Sequence, residues 1–264
     1  MKRETFANKL LLRIIFFVTL CLAGNEMLTA QGITTYQYRY VAPDKQAEFI
    51  KRETTYWSKV AQRAIDKGTL TFWGLFEKVG GVDMPNSPNY LFINTFPNID
   101  GDMAAVWDPT KLFPGIPMDK ISTNSMSTVL MDLFIHDEGF QQAAGVDASK
   151  DFKYVVMNYH NSSNSSQFIS TEKNQWGPFI KNAMDNKLTE QKGWGNAVVL
   201  SPIGGKMMFN CVSFDLYSTL NAALMQTWKP NTKFPTAGLD SLQKISINTP
   251  MTFVYRVVKV VSKN

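Results

Sequence analysis

Two kinds of hydrophobic pattern alternate along the chain, and they do so twice in the same order. Ile33 to Val41 (ITTYQYRYV) steps with a period of two and is rich in β-branched and aromatic residues, which predicts a strand. Pro43-Asp44 then opens a stretch with apolar residues three and four apart, a helix that runs to about Lys67 and stops at Gly68. Leu70 to Val79 and Tyr90 to Phe96 read as strands, separated by a turn-rich loop with Gly80, Gly81, Pro85 and Pro88. A short helix from Asp102 to Trp107, broken by Pro109, and a strand from Thr128 to His136 complete the first pass. The second pass predicts a strand over Phe152–His160 and a helix from Gln167 to about Lys187. A hairpin of Gly195–Ser201 and Met207–Phe214, a helix over Ser218–Trp228 and a strand over Thr252–Val261 follow. Each pass has the order β-α-β-β-α-β.

Residue matches support duplication. Phe49, Ile50, Glu53 and Trp57 fit F-I-x-x-E-x-x-x-W, and so do Phe168, Ile169, Glu172 and Trp176. Ala64-Ile65-Asp66 answers Ala183-Met184-Asp185, and Trp73-Gly74 answers Trp194-Gly195. Trp107, Pro109, Phe113 and Pro114 share W-x-P-x-x-x-F-P with Trp228, Pro230, Phe234 and Pro235. Matches on rare residue types, in one order, argue for a doubled unit rather than a solenoid, for which two copies are too few. The β-α-β-β-α-β order is ferredoxin-like, so the expected class is α+β with two tandem ferredoxin-like repeats. The expected organisation is a signal peptide over 1–30, repeat one over 31–137, a linker over 138–151 and repeat two over 152–264. Long loops precede the fourth strand of each repeat, at 111–127 and 230–250, and loops of that length often line a site.

On these motifs the chain resembles the dimeric α/β-barrel superfamily in a fused form, in the style of NIPSNAP-like proteins and antibiotic-biosynthesis-type monooxygenases. The resemblance implies two four-stranded sheets facing each other with helices outside, a pseudo-dimer within one chain. It also implies a choice among cofactor-free oxygenases, haem-handling enzymes and proteins without assigned role, which the fold alone does not make.

The N-terminus sets the expected address. Lys2, Arg3, Lys9 and Arg13 precede a short apolar run, Ile14 to Ala23, and Leu28-Thr29-Ala30 ends in a small residue. This is the pattern of an export signal cleaved near Ala30, and the apolar run is too short for a membrane anchor. The expected destination is periplasmic or extracellular. The segment holds four of the 27 basic and two of the 22 acidic residues, which leaves a net charge of +3. No dense run of Lys or Arg survives, so a nucleic-acid partner is not expected. Cys21 leaves with the signal, and Cys211 then has no intramolecular disulfide partner. Two widely spaced histidines predict no metal site.

Four residues are candidates for chemistry. Glu53 and Glu172 each sit inside the apolar stripe of a helix, and a buried carboxylate must be paired, hydrogen-bonded or protonated. Each reads first as a tie from helix to sheet, because both copies keep it, and alternatively as a general acid or base with a raised pKa. Asn158 and His160 share a face of one strand and could hold and deprotonate an oxidisable substrate, or ligate haem iron. The plainer reading is a strand end entering a loop. Tyr36 and Tyr38, on one face of the first strand, and the repeated Trp57 and Trp176 are candidates to line an aromatic ligand, with sheet and core packing the competing reading. The function expected first is a module that binds a small apolar or aromatic ligand, or a protein partner, without turnover and with no cofactor. The alternative is a cofactor-free or haem-linked oxygenase-type enzyme.

Overall fold

A computed structural model describes residues 32–80, 87–147, 151–204, 207–248 and 250–263. The expected signal peptide lies outside them. Eight strands are present among the described residues: β1 (Ile33–Val41), β2 (Phe72–Lys78), β3 (Tyr90–Phe96), β4 (Ser127–Gln142), β5 (Tyr154–His160), β6 (Gly193–Ser201), β7 (Cys211–Tyr217) and β8 (Met251–Ser262). They form one closed antiparallel barrel in the order β1-β3-β2-β8-β5-β7-β6-β4. Each half contributes the ferredoxin-like order, β4-β1-β3-β2 and β8-β5-β7-β6, and the halves join head to tail.

β7, expected over Met207–Phe214, spans Cys211–Tyr217, and closure explains why β4 runs past its expected end. β4 pairs with β1 through Ser127–His136 and with β6 through Phe134–Gln142. It therefore continues through the start of the expected linker, because its far end supplies the hydrogen-bonding edge that β6 needs. β8 pairs with β2 and with β5 and keeps its expected bounds to within one residue at each end. Full closure leaves no open sheet edge in either half.

Side-chain alternation divides the buried residues into two layers. Tyr36, Tyr38, Leu133, Ile135, Met157, Tyr159 and Tyr255 belong to the cluster that fills the barrel. The opposite faces of the strands carry the helices. In the first half, α1 runs as an α-helical segment Gln46–Arg52, a π-helical segment Glu53–Trp57 and an α-helical segment Ser58–Asp66. Phe49, Ala61, Ala64 and Ile65 pack on Trp73, Leu75, Tyr90 and Phe92. The short helices α2 (Met103–Val106) and α3 (Met118–Ile121) follow, with Asp102 accepting from the amides of Ala104 and Ala105 to start α2. In the second half, α4 comprises Ser165–Thr171, a π-helical segment Glu172–Trp176 and Gly177–Asp185. Then come α5 (Leu220–Met225) and α6 (Thr236–Ile245). The loop expected at 230–250 thus contains a ten-residue helix.

Both π-helical segments begin at the motif glutamate and end at the motif tryptophan. Such wide turns occur mostly as single-turn insertions and gather at functional sites. Simple 3.6-residue periodicity does not register them. The fully buried tryptophans are Trp73 and Trp194 on β2 and β6, whereas Trp57 and Trp176 are half-buried.

Candidate functional site

Between α1 and the outer face of the first half lies a cavity of about 520 Å³, within the range of small-molecule sites. Its floor is the outward face of β1 (Thr35, Gln37, Arg39) with Phe92, Asn94 and Phe96 from β3. Glu53 and Trp57 enter from α1, Trp107 and Met103 from the end of β3 through α2, and Met118, Thr123 and Asn124 from α3 and the loop after it. Trp73 and Asp132 complete it. The walls are largely aromatic and apolar, and the polar groups lie on the floor, on α1 and on the loop after α3.

The electrostatics concentrate on Glu53. The residue is 3% exposed, and burial pushes its carboxyl up to about 7. A hydrogen bond from Thr123 Oγ1 to Oε1 at 2.6 Å and the charge of Arg39 both favour the ionised form and hold the shift to that value. The group therefore exchanges its proton near neutral pH, the condition that general acid–base work requires. Among the described residues no hydrogen bond holds Oε2. Arg39 lies with its guanidinium 4.6 Å from the centre of the Phe92 ring, and its Nε donates to Gln37 at 2.5 Å. Burial lowers its pKa, opposed by Glu53 and Asp132. Gln37 in turn donates to Asp132 at 2.9 Å. Asn94 donates to Thr35 at 3.1 Å, and its Oδ1 is buried without a partner. Whichever way that amide is turned, one of its polar atoms remains for a ligand or a water.

No protein-family model matches the chain, and no curated protein is similar to it in sequence. Solved structures are similar in fold. An anthrone oxidase-like protein superposes with a TM-score of 0.56 at 11% identity, over 88% of this chain and 93% of its own. A candidate monooxygenase from Lactobacillus acidophilus gives 0.56 at 10% identity, over 88% and 96%. A second candidate monooxygenase, from Fusobacterium nucleatum, gives 0.51 at 11%, over 88% and 95%. The chain has the fold of a fused dimeric α/β barrel.

The outer faces of the two halves carry different residues beneath their helices. Trp73 faces Asn94 across β2 and β3, and Trp194 faces Asp215 across β6 and β7. Stepping along the paired strands from these anchors puts Gln37 opposite Phe92 and Asn158 opposite Ser213. The next outward step gives Arg39 in the first half and His160 in the second. The same register equates Leu75 with Asn196. At the sheet positions under its helix carboxylate, the second half therefore has Asn196 and Ser213 where the first has Leu75 and Phe92.

These substitutions decide what each glutamate does. Glu172 Oε2 accepts from Asn196 at 3.1 Å, and Ser213 also bonds the carboxyl. Burial, reinforced by Asp215, pushes it up to about 8. Asp215 accepts from Asn158 at 3.0 Å and from Gln191 at 2.6 Å, and burial pushes it up to about 7. His160 lies 3.0 Å from Ser213 Oγ and 4.7 Å, ring to ring, from Phe168, and burial pushes it down to about 4. Ser213 thus joins Glu172 to His160, while Asp215, held by Asn158 and Gln191, acts on Glu172 through its charge. α6 packs on the outer side of α4, its Gly238 so close to Gln175 that a Cβ would fall 2.6 Å from Oε1. Trp176 joins Phe179, Trp228 and Phe234 in an aromatic cluster.

The sequence candidates therefore separate. Glu53 and Trp57 share the first-half cavity, while Glu172, His160 and Asn158 lie in the second half. Tyr36 and Tyr38 are turned by strand alternation into the barrel, away from the cavity. There the Tyr38 hydroxyl donates to that of Tyr159 at 3.1 Å. No motif in the sequence marks Arg39, Asn94, Asp132 or Thr123. The polar face Thr35-Gln37-Arg39 was legible as the counterpart of the tyrosine face, but nothing in the sequence shows that a cavity lies over it.

The cavity residues do not fit haem. Haem iron takes its axial ligand from His, Cys or Tyr, or from Met paired with His. Among the described lining residues only Met103 and Met118 offer a donor of this kind. His160 lies in the other half with Nε2 at hydrogen-bonding distance from Ser213. Among the described residues no group of three His, Cys, Asp or Glu is placed to hold a metal ion.

Proposed function

We propose that the protein is an oxygenase-type enzyme that works without a cofactor on a small aromatic molecule held in the first-half cavity. The observation that carries this reading is Glu53, a buried carboxyl that titrates near neutrality and presents an unbound oxygen to a cavity walled by Trp57, Trp73, Trp107 and Phe92. Glu53 takes a proton from a hydroxyl or an activated carbon of the substrate, and Arg39 holds the anion so formed. An extended aromatic anion is electron-rich enough to reduce dioxygen directly. A CH₂ group and O₂ then yield a carbonyl and water, dioxygen being the oxidant. The similarity in fold to an anthrone oxidase-like protein and to two candidate monooxygenases agrees with this reading. The titratable carboxyl is the reason to prefer turnover to the simple binding module expected first.

Oxygen uptake tests it. A panel of phenols and anthrone-type carbon acids, first screened for binding by thermal shift, is offered to the wild type and to Glu53→Gln. Uptake with a bound compound should fall at least 100-fold in the variant, the lower end of what a general base contributes. Equal rates in the two proteins, or binding of a carbon acid without any oxygen uptake, would overturn the enzyme reading and return the binding module. Export with cleavage near Ala30 belongs to the same proposal, supported by the basic, apolar and small-residue pattern of residues 1–30. It is checked by the first residue of the processed protein.

A further inference from the structure

We infer that Thr123 is the positioning residue for Glu53, and that the loop carrying it, from Pro117 to Met126, is a working part of the site. Glu53 cannot be held as Glu172 is. The sheet positions that supply Asn196 and Ser213 to Glu172 are occupied in the first half by Leu75 and Phe92, which have no side-chain donor. The donor comes instead from the loop: Thr123, 2% exposed, gives its hydroxyl to Oε1 at 2.6 Å. One oxygen is thereby fixed and the other is left to the cavity.

The loop is itself held by the helix that carries Glu53. Arg52 Nη1 donates to the carbonyls of Asp119 at 2.5 Å and Ser122 at 2.8 Å. Trp57 Nε1 donates to the Ile121 carbonyl at 3.1 Å, and Ile121 is 1% exposed. Arg52 and Trp57 bracket Glu53, and Trp57 closes its π-helical segment. The helix therefore places the loop, and the loop returns one hydroxyl to the helix. In the second half the ten-residue α6 lies at the corresponding place in the chain order and the sheet does the holding. In the first half α3 has only four residues, and the cavity stays open beside it. Met118 and Asn124 of the same stretch line the cavity, so a ligand that enters touches the loop that orients Glu53.

This inference rests on Glu53 as the proton acceptor, but its test is independent of turnover. The other charged groups facing Glu53 are Arg39 from β1 and Asp132 from β4. The lining residues of α2, α3 and the loop are uncharged. The Glu53 carboxyl can therefore be followed by carbon-13 NMR in the full chain, with Glu53→Gln assigning the signal. Thr123→Val removes the donor that favours the charged form while burial remains, so the titration should move upward by roughly one pH unit or more. Thr123→Ser keeps the hydroxyl and should restore it. Arg52→Gln, which frees the loop without touching the carboxyl, should move it in the same direction and covers the case in which Thr123→Val does not fold. An unchanged Glu53 titration in a folded Thr123→Val protein, or in Arg52→Gln if that is the one that folds, overturns the inference. So does a Thr123→Ser protein that behaves like the valine variant. Loss of oxygen uptake in Glu53→Gln has no bearing on these outcomes, so the two readings fail separately.

Discussion

Replacing Glu172 by Gln should make the protein more stable at alkaline pH. Glu172 is 5% exposed, and its folded-state pKa of about 8 lies above the ordinary value of 4.5. The folded state therefore binds the proton more tightly than the unfolded chain. The stability this confers is complete below about pH 4.5 and is lost progressively as the pH rises towards 8. At 1.36 kcal/mol per pH unit, a displacement of this size removes about 4 kcal/mol by pH 8, a large share of ordinary domain stability. Gln is a neutral isostere that keeps an oxygen for the Asn196 amide, and the buried Asn196 Oδ1, which has no partner, offers its new NH₂ an acceptor. Urea unfolding at pH 5 and pH 8 measures the effect. Wild type should lose several kcal/mol between the two, and Glu172→Gln should lose about 3.5 kcal/mol less, since part of the loss has already occurred at pH 5. Asp215, with its pKa also raised to about 7, contributes in the same direction and remains in the variant, so some loss persists. If the two proteins lose stability in parallel within about 1 kcal/mol, the carboxyl is not held neutral by burial.

Gly68, at φ +72 and with open space where a Cβ would go, ends α1 in the left-handed region. Gly68→Ala should cost about 1 kcal/mol from backbone conformation alone, seen as a lower urea midpoint at unchanged slope. Lys187 occupies the matching place after α4 at φ 54, which shows that a side chain is accommodated there. Cys211 is wholly buried and its thiol is pushed up to about 12, mainly by burial. It should resist iodoacetamide in the native protein at pH 8 and react only after denaturation, and rapid native alkylation would contradict the packing of β7 under α4.

Much of the architecture could be read in the chain itself. The strand Ile33–Val41 and the strand Tyr90–Phe96 agree with the structure residue for residue, because alternation and β-branched composition act locally. The repeated F-I-x-x-E-x-x-x-W established that the same unit occurs twice, and a repeated unit with a ferredoxin-like order has few ways to cover its sheet edges. The long continuation of β4 is not local in this sense. Its length is set by β6 in the other half, which the hydrophobic pattern of β4 itself does not register.

The two carboxylates mark the limit most clearly. Position, spacing and helix face are the same for Glu53 and Glu172, and the sequence treats them as equals. Their difference lies in residues contributed by other strands and loops: Leu75 and Phe92 against Asn196 and Ser213, Arg39 against His160, and Thr123 from a loop 70 residues further on. Desolvation and hydrogen bonding act through space over a few ångströms. A carboxyl's proton affinity therefore belongs to its tertiary neighbours, which sheet register and loop closure bring together. The sequence determined that each helix buries an acid, and only the folded barrel decided which of the two faces a cavity.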